Sequence, residues 1–206
     1  MIDIRTARES DIEAIYEVAL KTGDAGVDAS GLHPDGRIVG DLFAVPYVLF
    51  SRKLSFAIED EEGVGGYVLG ALDTAAFETR LTEAWWPGKR LRYRAPVGEP
   101  RPDWNADARW RWFVHNPRPT PRRIAEPYPS HLHIDLLPRL QGKGIGRRAM
   151  DLWLEQARAA GSSGAHLGVS TRNHRALRFY RAYGLTEPAL ERGPPPGTVW
   201  FVKAFG

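Results

Sequence analysis

Between Leu136 and Arg147 the chain reads Leu-Leu-Pro-Arg-Leu-Gln-Gly-Lys-Gly-Ile-Gly-Arg, an apolar end, a glycine-rich loop and the start of an amphipathic stretch. A helix that begins inside glycines presents unpaired N–H groups with its dipole behind them, and glycines let the main chain approach what is bound. Gln141, Gly142, Lys143, Gly144, Ile145, Gly146 and Arg147 therefore read as an anion cradle suited to a diphosphate. Lys143, Arg147 and Arg148 add charge. Spacing excludes two other phosphate loops. A P-loop needs Ser or Thr after Gly-Lys and a glycine five residues earlier, but Gly144 follows Lys143 and Leu137 stands five before Gly142. A dinucleotide fingerprint needs G-x-G-x-x-G, and here Gly142, Gly144 and Gly146 run straight into Arg147.

A second constellation precedes it. His131, His133 and Asp135 alternate along a strand-like segment and so share one face, where a His beside a carboxylate can take a proton from an ammonium through water. The plainer reading pairs Asp135 with an arginine and leaves the histidines as satisfied core or surface groups. Both stay open.

The elements that must position these groups follow from periodicity. Ile2 to Ala7 alternates as a short strand, and Ser10-Asp11-Ile12-Glu13 has the form of a capping box before a helix that Gly23 ends. Gly23 to Gly36 reads as a loop, and Arg37 to Phe50 as a helix interrupted near Pro46. Leu54 to Asp60 and Val64 to Asp73 form a hairpin, with Gly65, Gly66 and Gly70 suggesting a bulge. Thr74 to Trp86 returns to helical spacing. From Pro87 to Pro129 no period persists except over Asp103 to His115. Then come a strand over His131 to Leu137, a helix over Gly144 to Ala160, a strand over Ala165 to Val169 and a helix over Asn173 to Tyr183. Leu185 to Leu190 and Thr198 to Ala204 read as strands around the turn Gly193 to Gly197. This alternation predicts an α/β or α+β sandwich around a mixed sheet.

At 206 residues, 43% hydrophobic and 26% charged, the chain suits one folded domain, residues 1–206, with an insertion at about 87–129. The absence of cysteine excludes disulfides, a thiolate nucleophile and cysteine-ligated metals, and suits a cytoplasmic location. No leader or membrane-spanning run is evident. Residues 87–127 hold ten Lys or Arg against four acids, although the net charge is only +3. Five tryptophans, Trp85, Trp86, Trp104, Trp110 and Trp112, lie in or beside this basic segment.

Gln141 to Gly146 resembles the acyl-CoA signature Q/R-x-x-G-x-G/A of the GNAT N-acyltransferases, and Leu136-x-Pro138 matches its usual approach. Asn173-x-x-Ala176-x-x-Phe179-Tyr180-x-x-x-Gly184-Leu185 resembles the family's second motif. Gly23 to Gly26, Gly40 to Phe43, Gly65 to Asp73 and Tyr128 to Leu132 are similar to the acetyltransferase-like C-terminal domain of nucleocytoplasmic O-GlcNAcases, which implies a free-standing bacterial-type relative. The resemblance implies the GNAT fold, a central mixed, mostly antiparallel sheet flanked by helices. It implies acetyl-CoA as co-substrate without a metal, and a small-molecule or peptide amine as acceptor, with neither nucleic acid nor membrane as partner. Leu136 and Leu137 would hold pantetheine, the Gly142 to Arg147 amides the pyrophosphate, Asn173 and Ala176 would contact the coenzyme, and Tyr180 would be the general acid. Family bases on the preceding strand more often take the phase of Ser130 and Leu132, and Asp135 would line the acceptor pocket. The tryptophan-rich insertion reads either as a wall over an acidic or sugar-like acceptor or as rings capping the sheet beneath solvated arginines. No nucleic-acid motif accompanies it. A non-catalytic acetyl-CoA-binding or recognition module is the alternative role.

Overall fold

A computed structural model describes residues 1–189 and 197–206. In chain order its elements are β1 (Asp3–Thr6), α1 (Ile12–Thr22), α2 (Ile38–Phe43), α3 (Val45–Phe50), β2 (Ser55–Asp60), β3 (Gly63–Ala71), α4 (Thr74–Ala84), α5 (Trp86–Arg92), α6 (Ala106–His115), α7 (Arg122–Ala125), β4 (Ser130–Leu136), α8 (Ile145–Ala159), β5 (Gly164–Ser170), α9 (His174–Tyr183) and β6 (Thr198–Ala204). Among the described residues the strands form one sheet in the order β1 to β6. Every neighbouring pair is antiparallel except β4 and β5.

Strand alternation divides the interior into two cores. Ala57, Tyr67, Leu69 and Ala71 turn one face of the sheet to α1, α2, α3, α4, α5 and α6. Phe56, Ile58, Val68 and Leu132 turn the other to α8 and α9. Helix α8 buries Ile145, Ala149, Met150, Trp153, Leu154 and Ala157, one stripe at helical spacing. Gly70 packs closely against β4 and α8. A Cβ there would stand 2.2 Å from the His131 carbonyl and 2.4 Å from the Trp153 ring, so only glycine fits.

The hairpin bulge falls at Gly65, because Ile58 pairs with Gly66 while Glu59 pairs with Val64. Several expectations are corrected. The capping carboxylate is Asp11, whose Oδ2 accepts the Arg8 N–H at 2.7 Å and an Arg5 N–H at 2.7 Å. Glu13 reaches Arg37 at 2.6 Å instead. Pro87 does not end regular structure: it sits in the first turn of α5, where its missing N–H has no partner to lose. The strand expected over Leu185 to Leu190 reduces to a single bridge, Thr186 with Val202. Pro188, two residues on, has no N–H to extend a ladder. Leu190 and Gly193 to Pro196 of the expected turn lie outside the described residues.

The segment from residue 87 onward is anchored rather than loose. Asp41, fully buried on α2, accepts from the hydroxyls of Tyr16 and Tyr93 at 2.6 Å each and from Lys89 Nζ at 2.7 Å. Lys89 also sits 3.9 Å over the Trp85 ring. One carboxylate thus ties α1, α2 and α5 together.

Candidate active site

The sheet opens where the site forms. The parallel β4 and β5 pair only at Ser130 with Ala165 and His131 with His166, then separate. On its other edge β4 stays paired with β3 to its end, Leu136 opposite Gly66. The Leu137 N–H donates to the Gly65 carbonyl at 2.8 Å, which makes Leu136 and Gly66 a pair whose own polar groups point away from each other. By the same alternation the N–H and C=O groups of Ile134 and Leu136 face the opening toward β5. Leu137 contributes less than the resemblance implies, because its carbonyl is also taken, by Leu140 N–H at 2.9 Å.

The cradle follows β4 directly. Gly142 and Gly144 have φ of +72° and +74°, and α8 begins at Ile145 with no side chain capping it. The first helical bond runs from Arg148 N–H to the Gly144 carbonyl at 3.2 Å. No backbone N–H from Gly142 to Arg147 has an acceptor among the described residues. Six successive free amides, with alternating left-handed glycines, form a concave anion nest at a helix N-terminus. Lys143, Arg147 and Arg148 are exposed around it. The Arg147 guanidinium turns aside, 5.0 Å over the Tyr183 ring. Gln141 braces the loop: its Nε2 donates to the Leu136 carbonyl at 2.6 Å, and its Oε1 accepts from Arg175 of α9.

Across the opening lies α9. Asn173 caps it through Oδ1, which accepts the Ala176 N–H at 3.0 Å. At its far end Gly184, φ +97°, allows the Leu185 N–H to reach back to the Tyr180 carbonyl at 3.1 Å, a Schellman-type close that fixes the last turn. Tyr180 and Ala176 are thereby aimed into a cavity of about 250 Å³ between β4 and β5. The Tyr180 hydroxyl has no partner among the described residues. Burial, and then the charge of Asp135, push its pKa above the ordinary phenol value.

Asp135 lines the same cavity, where Tyr67 of the directly paired β3 residue donates to its Oδ2 at 2.8 Å. Burial raises its pKa to about 6, against the lowering effect of the Tyr67 and Thr22 hydroxyls and of Arg175. His133 stands at the junction with a second, larger cavity of about 1350 Å³. Trp86 of α5 and Trp110 and Phe113 of α6 wall that outer space with Glu78 and Thr79 of α4. Glu78 closes one side by accepting from the Thr120 N–H and hydroxyl at 2.8 Å each. Tyr93 is core, Trp86 is core and also lines the cavity, and Trp110 packs against the core with a face on the cavity. Ser130 is fully buried and donates to the Leu72 carbonyl at 2.6 Å, so the opposite phase of β4 carries no open polar side chain here. Sequence reasoning missed Tyr67, Tyr47 and Arg175, whose partners lie on other strands and helices.

The description "Acetyltransferase (GNAT) family" belongs to a family model that matches residues 110–185. Protein O-GlcNAcase of Rattus norvegicus is 27% identical over 200 residues, covering 95% of this chain and 21% of the relative. Protein O-GlcNAcase of Mus musculus is 26% identical over 197 residues, with the same coverage. The chain thus spans about a fifth of the length of these curated relatives. The crystal structure of SsHAT superposes with a TM-score of 0.87 and 32% identity, covering 98% of both chains. The structure of yncA from Salmonella typhimurium, solved with its cofactor acetyl-CoA, shares the fold at a TM-score of 0.52 and 18% identity, over 98% of this chain and 93% of that one. With its fold matched end to end by SsHAT and the family model lying across the cradle and α9, the chain belongs to the acetyltransferase (GNAT) family.

Proposed function

We propose that this chain, acting as one acyltransferase domain, moves an acetyl group from acetyl-CoA to an amine by direct attack in a ternary complex. The observation that carries this is the run of six free amides from Gly142 to Arg147, set where β4 leaves the sheet and opens toward Tyr180. A diphosphate suits that nest, and an extended, amide-bearing arm suits the outward-facing polar groups of Ile134 and the Leu136 N–H. Asn173 and Ala176 of α9 would flank the arm on its other side.

Each chemical requirement then has a residue. The Leu136 N–H faces the opening and can donate to the oxygen on which negative charge develops. Tyr180 supplies the proton that the departing sulfur needs, and burial keeps its hydroxyl in the protonated form. Asp135 supplies a fixed negative charge beside the reacting centre, drawing a cationic amine inward. The outer cavity, walled by the insertion, admits the acceptor, and its size and aromatic lining suit a ligand larger than a simple alkylamine.

The test is amine-dependent thiol release from acetyl-CoA, run over polyamines, amino sugars, arylamines and lysine peptides, with product masses recorded. Acetylated product whose formation falls at least a hundredfold in Tyr180→Phe supports the reading. Acetyl-CoA binding with no transfer to any of them favours a sensing or recognition role.

A further inference from the structure

A buried hydrogen-bond chain runs from the Pro129 carbonyl through Thr74, His131 and Tyr47 to His133. Thr74 Oγ1 lies 2.7 Å from the Pro129 carbonyl oxygen. Two oxygens that close need a proton between them, and a carbonyl has none, so the threonine proton is spent there. His131 Nδ1, 2.8 Å from the same hydroxyl, must then donate to it. Burial, with His166 and His133 nearby, holds His131 well below the usual histidine pKa. A neutral ring protonated at Nδ1 has a bare Nε2, and that nitrogen accepts from the Tyr47 hydroxyl at 2.7 Å. Tyr47 has no second proton. Its oxygen therefore accepts from His133 Nε2, 3.1 Å away.

The chain ends on a lone pair. Burial, with His166 close by, pushes His133 down to about 4, so at neutral pH its ring carries one proton, held at Nε2. Nδ1 is left bare. It has no hydrogen-bond partner among the described residues and is not one of the polar atoms sealed from solvent, and the ring lines both cavities. Tyr47 stacks on Phe77 at 4.4 Å, which fixes the hydroxyl that orients the ring.

We infer that His133 is the proton acceptor for the incoming amine, presenting a bare Nδ1 at the junction of the two cavities, and that Tyr47, His131 and Thr74 are positioning residues that set its tautomer. This rests on the acetyl-transfer reading. A cationic amine first releases one proton to solvent; the neutral nitrogen's lone pair then forms the C–N bond and one N–H proton passes to His133 Nδ1. The C–S bond breaks with its electron pair going to sulfur, which takes the Tyr180 hydroxyl proton. Return of one proton from His133 to Tyr180 through water balances the cycle. A weak base serves here because the nitrogen's proton becomes acidic as the C–N bond forms. Asp135, two residues along the same face, stays an electrostatic partner: its Oδ2 is already engaged by Tyr67.

The test begins without an acceptor. Long-range 1H–15N correlation spectra of 15N-histidine protein at pH 7, assigned with His133→Gln and His131→Gln, should show His133 protonated at Nε2 alone and His131 at Nδ1 alone. Tyr47→Phe should let both tautomers of His133 appear. A His133 ring protonated at Nδ1, or at both nitrogens, overturns the inference. Kinetics on whichever amine the wild type acetylates give the second arm. His133→Ala should lose roughly a hundredfold or more in kcat/KM with acetyl-CoA affinity unchanged, and added imidazole should restore part of the rate. His133→Ala within threefold of wild type overturns the assignment while leaving acetyl transfer intact. Absence of transfer by the wild type itself defeats the acetyl-transfer reading and this assignment with it.

Discussion

The Tyr67 hydroxyl donates to the Asp135 carboxylate at 2.8 Å across directly paired residues of β3 and β4, placing a hydrogen-bonded but desolvated charge at the inner end of the cavity. Burial is the larger influence, so Asp135 holds its proton up to a pH of about 6, against an ordinary value of 3.8. The sign follows. The folded state binds this proton more tightly than the unfolded chain, so stability from this group is fully present below 3.8 and is lost as pH rises through about 6.

At neutral pH the ionised Asp135 therefore costs on the order of 3 kcal/mol. Asp135→Asn, which can still accept from Tyr67, is expected to raise the thermal midpoint at pH 7 by roughly 5 to 10 °C and to leave it nearly unchanged at pH 4. Scanning calorimetry at both pH values checks this. The same variant is expected to acetylate a cationic amine more slowly, a trade of stability for function.

Gly144 tests the cradle. Its φ is +74°, and a Cβ at this position would meet nothing within 4 Å, so alanine encounters backbone strain rather than a clash. Gly144→Ala should cost about 1 kcal/mol of stability. Its effect on acetyl-CoA should be larger, at least a tenfold rise in Kd by titration calorimetry, because the amides on either side must keep their direction. A stability loss with unchanged affinity would mean that the loop is only a turn.

Asp41 makes the opposite prediction. Asp41→Ala strands Lys89 and two tyrosine hydroxyls in the interior, and removing one partner of a buried ion pair costs about 3 to 5 kcal/mol. Urea unfolding should show that loss, while the folded fraction binds acetyl-CoA with wild-type affinity. The anchoring of α5 is thereby separated from the site.

Local patterns carried much of this architecture. The glycine spacing around Gly144, the apolar stripe of α8 and the motif from Asn173 to Gly184 are contiguous signals, and each lies on the element expected of it. Non-local pairing was not legible. Nothing near Tyr67 or Asp135 in sequence announces that strand register sets them opposite one another. Nor does anything near Tyr47 announce two histidine partners more than eighty residues away. Pro87 and Pro188 misled in opposite directions, since proline is harmless in the first turn of α5 and ends pairing after Thr186.

The most direct measurement is steady-state thiol release from acetyl-CoA by the wild type beside Tyr180→Phe, with acetylated product identified by mass. The structure predicts amine-dependent release by the wild type. It predicts a loss of at least roughly a hundredfold in kcat for Tyr180→Phe, with acetyl-CoA affinity preserved. Equal rates in the two proteins, or tight acetyl-CoA binding without transfer to any amine, would contradict it.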